Sequence, residues 1–254
     1  MARRDEPMTA LDGERLTELI MRLLLDGGLR ERLAAEGAAA VAADEGELEC
    51  LDTIDLEELD AAARRFRSTI WRLGTGGSLA TAFPHSLRLF AAAGVGDAEL
   101  LDGFLASPRF GRFRLVPYAG AGVSVEEAFA GFLLDLAGTR PGDVAFLRET
   151  VTHELMVALF TALACEQPLS FVIESGGIVE TGRGHAGLRR YAPEALASWG
   201  ESAAGGGPVP YAYFATPAGV TRGVVSERVA AAFAATPSAD SRAAREALSR
   251  RGLW

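Results

Sequence analysis

Along the first 165 residues, apolar positions recur every three or four residues, which is the spacing of amphipathic helices. Residues 11–43 carry this pattern in two short stretches, which Gly27 and Gly28 separate. Asp55 stands where the N-cap of the next helix is expected, because its carboxylate can accept hydrogen bonds from the first free amides. The apolar face that follows is the clearest in the chain: Leu56, Leu59, Ala63, Phe66 and Ile70.

The helical pattern continues through residues 55–165 with two internal landmarks. Pro84 has no backbone N–H to donate, so it predicts a kink or a restart of its helix. Ser124 and Glu127 have the spacing of a capping box, which predicts that a helix begins there. The last helix of this region runs to Cys165 and is apolar on nearly all sides in its second half, as expected of a buried central helix.

After residue 169 the pattern changes to short alternating runs. Residues 169–175 read as a strand, and the stretch 176–207 is rich in glycine and predicts a loop. Two further strands are expected at 209–215 and 220–225, joined by Thr-Pro-Ala-Gly, which suits a tight turn. Two short helices, at 226–235 and 239–250, then complete the chain.

These patterns predict a fold that is mainly α with a small α+β part. We expect a helical domain over residues 1–165, comprising acidic front helices (11–43) and a helical body (55–165). A small α+β module is expected over residues 169–254.

Charge is distributed unevenly along the 254 residues, whose formal net charge is −9. Residues 1–60 contain 17 acidic residues and 6 arginines, so the whole negative surplus lies at the front. An acidic front repels a phosphate backbone, which argues against a nucleic-acid partner. All 25 basic residues are arginines, so Schiff-base and Walker-type lysine chemistry is excluded.

Location is predicted from what the chain lacks. The longest apolar run, residues 155–165, is well short of the roughly 20 residues needed to cross a bilayer, so no membrane association is expected. The first residues contain no apolar segment typical of a secretory signal. Two cysteines without Cys-x-x-Cys spacing fit a reducing compartment. The sequence therefore predicts a cytoplasmic protein.

Candidate chemistry is sparse. His153-Glu154 begins like a zinc-protease motif, but Val157 occupies the position of the second histidine ligand. Glu149 and His153 lie four residues apart and could form half of a metal site, and the alternative is a polar stripe on a partly exposed helix. The glycine-containing stretches 74–78 and 182–184 lack a complete phosphate-binding pattern and are expected to be loops. We predict no catalytic residue, metal ligand or cofactor in this chain.

Two stretches of the chain carry a family resemblance. Residues 64–108, with an aromatic-proline step at Phe83-Pro84, resemble the helical region of accessory subunits that pair with multinuclear non-haem iron oxidative enzymes in ribosomal peptide maturation. This group includes the methanobactin accessory protein. Residues 211–248 are similar to the small winged-helix-like module with which those proteins hold a leader peptide. The acidic front helices and residues 176–207 have no counterpart in that pattern.

The resemblance implies a non-catalytic partner subunit. Such a protein would bind a ribosomally made precursor peptide through its leader and present it to a non-haem iron oxidase, with the iron in the partner enzyme. A hairpin edge can pair with an extended peptide, and its side chains would supply selectivity. The candidate peptide-binding residues are Val220, Arg222, Val224, Val229 and Phe233.

Three alternatives stay open at this point. Val229 and Phe233 could instead belong to the core of a small domain, as apolar helical residues commonly do. The chain could be an independent enzyme of a type that its motifs do not reveal. A winged-helix regulator that binds DNA is a third possibility, which the negative charge disfavours.

Overall fold

The computed structural model describes most of the chain, and the statements below concern these parts: residues 13–72, 78–114, 122–139, 146–165, 171–202, 206–236 and 238–254. The described structure is mainly helical and carries one small antiparallel sheet, as the sequence predicts. Among these residues, no helix is both long enough and apolar enough to traverse a bilayer.

The front of the chain forms a small helical layer. Its helices are α1 (Gly13–Leu25), α2 (Gly27–Glu36), α3 (Glu45–Asp52) and α4 (Leu56–Arg72). Asp26 and Asp44 cap α2 and α3, since each side chain accepts a hydrogen bond from a backbone amide of the first turn. Asp55 does the same for Glu57 and Glu58 in α4, which confirms the helix start expected there.

The helical body follows, and its core is aromatic. Its helices are α5 (Leu79–Ala82), α6 (Pro84–Ala92), α7 (Asp97–Ala106), α8 (Pro108–Arg114) and α9 (Val125–Thr139). Phe129 lies at the centre, with the rings of Phe83 and Phe104 edge-on at centroid distances of 5.3 and 5.0 Å. Pro84 separates α5 from α6 and begins the second helix, which confirms the expected restart.

The helix α10 (Leu147–Cys165) joins this body to the sheet. Val151, Leu155 and Leu159 pack into the helical core, whereas Met156 and Phe160 pack against the sheet. Because both sides are covered, α10 is apolar on nearly all sides in its second half, as the sequence predicts.

The strands form two sheets. Two-residue strands β1 (Gly122–Val123) and β2 (Phe171–Val172) pair in parallel. The larger sheet is an antiparallel meander of neighbouring strands: β3 (Ile178–Thr181), β4 (Gly184–Tyr191), β5 (Val209–Thr216) and β6 (Gly219–Val224). The helix α11 (Pro193–Ser198) lies between β4 and β5 in sequence.

The sheet is covered on both faces. The helix α10 packs on the face that carries Tyr211 and Tyr213. The opposite face, with Ala212 and Phe214, is covered by the C-terminal helices. These are α12 (Glu227–Ala230), a 3₁₀ turn (Ala231–Phe233) and α13 (Ala239–Arg250).

The expectation of a loop over residues 176–207 is wrong, because β3, β4 and α11 lie within it. Glycines in this stretch allow close packing against the sheet and a tight turn between its strands. A Cβ atom at Gly187 would lie 2.9 Å from the methyl carbon of Met156, so glycine lets α10 approach β4 closely. Gly182 and Arg183 form the two-residue turn between β3 and β4. Residues 74–77 of the other glycine-containing stretch, which is expected to be a loop, lie outside the described residues.

The helix start at Ser124 is confirmed, although the carboxylate of Glu127 is used differently from a capping box. The Ser124 hydroxyl accepts the amide of Glu127 at 3.1 Å. One Glu127 oxygen accepts the amides of Glu174 and Ser175, at 3.1 and 2.7 Å. Glu127 therefore fixes the segment that leads from β2 into the larger sheet.

Candidate functional site

The strand β6 has a free edge in the described structure. It is the outermost strand of the sheet and pairs with β5 alone. The amide of Val225, just beyond the strand, donates to the carbonyl of Pro210 at 3.0 Å. Hydrogen-bonded and non-hydrogen-bonded pairs alternate along an antiparallel ladder. The backbone groups that point away from β5 therefore belong to every second residue: Val220, Arg222 and Val224.

The side chains of these three residues share the sheet face that α10 covers, because they pair with Ala215, Tyr213 and Tyr211 respectively. Val220 is half-buried against that cluster, and Arg222 is exposed. The Val224 side chain is 37% exposed, which is unusual for a large apolar residue in this protein. The edge thus combines free backbone groups with an apolar, basic, apolar series of side chains.

The other two sequence-predicted residues lie elsewhere. Val229 and Phe233 pack under the opposite face of the sheet. The Phe233 ring is 6.2 Å from that of Phe214 and 5.2 Å from that of Trp254. The structure therefore brings three of the five predicted residues together on one edge and places two in the core of the C-terminal layer.

A cluster of aromatic side chains lies beside this edge, between α10 and the sheet. His153 of α10 stacks on Trp199 with a centroid distance of 4.3 Å and an interplanar angle of 10°. The rings of Tyr191 and Tyr211 meet the imidazole edge-on, at 5.9 and 5.4 Å. We call His153, Tyr191, Trp199, Tyr211 and Tyr213 the aromatic cluster.

Hydrogen bonds link the polar atoms of the aromatic cluster. Nδ1 of His153 and the Tyr213 hydroxyl are 2.7 Å apart, and the hydroxyls of Tyr213 and Tyr191 are 2.8 Å apart. The Tyr211 hydroxyl donates to the Glu201 carboxylate at 3.0 Å. Burial of these polar groups is tolerated because each finds a partner.

Burial controls the ionisation of the aromatic cluster. Desolvation, followed by the positive charge of Arg222 and the neighbouring His85, lowers the pKa of His153 to about 4. The imidazole is therefore neutral at pH 7. Burial also raises the pKa values of Tyr191 and Tyr213 well above the ordinary value for tyrosine. The pKa of Tyr211 is raised to about 12 by burial, and next by Glu201.

Glu154, next to His153, has a structural role at the start of α6. Its two oxygens accept the amides of His85 and Ser86 at 2.6 and 3.0 Å, and the Ser86 hydroxyl at 2.6 Å. These donors are free because the first amides of a helix have no intrahelical acceptor. Burial raises the pKa of Glu154, and the hydrogen bonds oppose that shift.

Of the pair Glu149 and His153, for which a polar stripe on a partly exposed helix was the alternative to a metal site, His153 does not fit that alternative. Its side chain is buried, with an exposed fraction of 8%, whereas Glu149 is half-buried. Nδ1 of His153 is engaged by Tyr213. Across the described residues, no three His, Cys, Asp or Glu side chains are grouped so that they could hold a metal ion.

Sequence reasoning missed the aromatic cluster, although one local signal for it exists. Tyr211 and Tyr213 alternate along one strand, which places both rings on the same face. Tyr191 and Trp199 come from the glycine-rich stretch that was expected to be a loop. Their meeting with His153 depends on the pairing of β4 with β5, which no local pattern encodes.

Comparison of the chain with protein-family models, with curated proteins and with solved structures finds no significant match.

Proposed function

We propose that this protein binds an extended peptide, which adds as a further strand to the free edge of β6. The observation that carries this proposal is the set of outward-facing backbone groups at Val220, Arg222 and Val224. Backbone pairing of this kind supplies affinity, while alternate side chains supply selectivity. Exposed edges invite pairing with another chain, so proteins usually protect them.

The edge of β6 carries little of this usual protection. It contains no proline, and its one charged side chain is Arg222. The opposite edge strand, β3, is shorter, with four residues against six in β6. It therefore offers fewer outward-facing groups, and its Val179 side chain points away from α10.

The aromatic cluster fixes the position of β5, the strand that pairs with β6. Tyr211 and Tyr213 of β5 belong to the cluster and are fully buried. Linked rings with satisfied hydrogen bonds hold the edge in one geometry before any peptide arrives. Such preorganisation reduces the entropy that binding would otherwise lose.

The resemblance of residues 211–248 to a winged-helix-like leader-binding module supports a more specific proposal. In it, the peptide is the leader of a ribosomally made precursor, and the chain presents that precursor to a non-haem iron oxidase. The iron would belong to the partner enzyme. This chain would supply recognition and contribute no catalytic residue.

Peptide binding can be tested without knowing the natural peptide. A phage library of random peptides is selected on the intact protein, and enriched clones are tested against Val224→Pro and Val224→Thr. Proline removes the outward amide, whereas threonine keeps it and remains compatible with a strand. We expect clones that bind the parent and Val224→Thr but not Val224→Pro. Clones that bind all three equally would place peptide recognition elsewhere.

The partner is tested separately by co-expression with the products of adjacent genes, followed by purification and metal analysis. We expect a stable complex in which iron accompanies the other subunit. Stoichiometric metal and turnover in the isolated chain would favour an independent enzyme.

A further inference from the structure

The three side chains along the free edge of β6 differ in polarity and exposure, and these differences determine which peptide side chains could pair with them. Val220 is half-buried, Arg222 is exposed, and Val224 is exposed over about a third of its surface, at 37%. All three lie on the face covered by α10. Within the described residues, Arg222 forms no salt bridge with any carboxylate.

The surroundings of Arg222 also matter for the charge of a ligand. Its guanidinium lies close enough to His153 and Tyr211 for its charge to lower the pKa of each. Nδ1 of His85, which also lowers the pKa of His153, is 2.8 Å from the Arg88 guanidinium. The Glu201 carboxylate accepts the Tyr211 hydroxyl at 3.0 Å and forms no salt bridge with Arg222. A peptide strand beside β6 would therefore meet a positive charge at the centre of the edge.

The spacing of Val220, Arg222 and Val224 along β6 predicts the spacing of the peptide residues that would contact them. Side chains alternate between the two faces of a sheet, so a peptide strand places every second residue over α10. Directly opposed residues on neighbouring strands have Cβ atoms about 4.5–5.5 Å apart and interact as pairs. Three peptide residues spaced by two would oppose Val220, Arg222 and Val224, whether the strand runs parallel or antiparallel.

We infer that the edge of β6 selects peptides with an acidic residue flanked by apolar residues at spacing two, apolar-x-Asp/Glu-x-apolar. The acidic side chain pairs with Arg222, and the apolar side chains cover Val220 and Val224. This inference rests on the proposed peptide-binding function and adds the class of peptide.

The inference is tested with four fluorescein-labelled peptides and the intact protein, by fluorescence anisotropy at low salt. TTVTETVTT carries the pattern, and TTVTQTVTT and TTVTRTVTT replace the central acid. TTVETTVTT keeps the same composition and charge but moves the glutamate to the opposite face. We expect TTVTETVTT to bind about two- to five-fold more tightly than the glutamine peptide, because opposed charge pairs contribute modestly, and more tightly still than the arginine peptide.

Variants of the protein assign the preference to Arg222. Arg222→Gln should remove the preference for glutamate, and Arg222→Glu should reverse it in favour of TTVTRTVTT. Thr221→Glu is the matched control, because Thr221 is an exposed neighbour whose side chain lies on the opposite face. The glutamate preference should survive in that control.

The outcomes separate this inference from the proposed function. Equal binding of all four peptides would overturn the acidic pattern and leave peptide addition at the edge standing. Binding of none of them at millimolar concentration, together with no enriched phage clone, would overturn both. A concentration-dependent dimer that Val224→Pro abolishes would assign the edge to a second copy of the chain and would also overturn the inference.

Discussion

Nδ1 of His153 lies 2.7 Å from the hydroxyl of Tyr213, and this contact joins the central helix α10 to the middle of the sheet. Tyr213 pairs with Arg222 across the β5–β6 ladder, so the contact lies directly beside the free edge. The same hydroxyl is 2.8 Å from that of Tyr191. A single buried oxygen thus links the helix, two strands and the candidate peptide-binding edge.

Tyr213→Phe should lower the free energy of unfolding by about 1–3 kcal/mol, because it removes the partner of two buried polar groups. His153 and Tyr191 would both lose a hydrogen bond. Urea denaturation of parent and variant measures the loss. Tyr211→Phe is the control. Its partner Glu201 is half-buried and can be hydrated, so this variant should lose less free energy of unfolding than Tyr213→Phe. Equal losses in the two variants would contradict the central role of the Tyr213 hydroxyl.

Stability should fall as the pH is lowered from 6.5 towards 4. The pKa of His153 is about 4 in the folded protein, against an ordinary value of 6.5, so the unfolded chain binds more protons in this window. The contribution of His153 is fully present above pH 6.5 and is lost as the pH falls through the folded pKa, up to about 3 kcal/mol.

The pH effect is assigned to His153 by comparing the parent with His153→Gln, which does not titrate. Burial, and next Arg88, lowers the pKa of His85, which adds a change of the same sign. The raised pKa of Glu154 acts in the opposite direction, because it favours the folded state at low pH. Both groups remain in the variant, so the difference between the two urea series isolates His153. Parallel pH profiles would refute the assignment.

Glu154→Gln should destabilise the protein by about 2 kcal/mol, since Glu154 accepts three hydrogen bonds in a buried site and a buried donor left without a partner costs about 1–3 kcal/mol. The amide side chain can accept at one atom only, and its NH₂ group would face the donors of His85 and Ser86. Thermal unfolding followed by circular dichroism measures the effect. Glu149→Gln, on the same helix but half-exposed, should change the melting temperature little. Comparable losses would show that the capping contact is unimportant.

Gly187→Ala should lower the free energy of unfolding by about 1–3 kcal/mol, the usual range when an extra methyl group is forced into a packed core. The added methyl group would lie 2.9 Å from side-chain atoms of both Met156 and Phe160, so these side chains or the helix that carries them would have to shift. Gly223→Ala is the matched control, because nothing lies within 4 Å of its added Cβ atom. Urea denaturation compares the two, and a smaller loss at Gly187 than at Gly223 would contradict the close packing.

Val224→Pro should leave the fold intact, whereas Thr221→Pro should destabilise it by about 3 kcal/mol. The Thr221 amide faces β5, and proline there would remove a hydrogen bond of the ladder. The Val224 amide faces the free edge. Circular dichroism and urea denaturation test this without any peptide, and equal losses would show that the amide directions are misassigned.

Local sequence patterns predicted much of the fold. Helix starts at Asp55, Pro84 and Ser124 are encoded by residues within one turn of each other, so the sequence alone reveals them. The hairpin formed by β5 and β6 is likewise local, because a two-residue turn fixes its register. From that register, the outward amides of Val220, Arg222 and Val224 follow directly.

The sequence by itself thus determined the mainly helical class, the buried central helix and the hairpin, because a local pattern of apolar, capping or turn residues predicts each of them. The tertiary structure alone decided that residues 176–207 contain strands, that His153 and Glu154 are buried, and that Phe233 packs away from the edge. These features depend on which faces meet across long separations in sequence. Which faces pack together is determined by the burial of apolar surface over the whole molecule, so it cannot be predicted from any short stretch of residues.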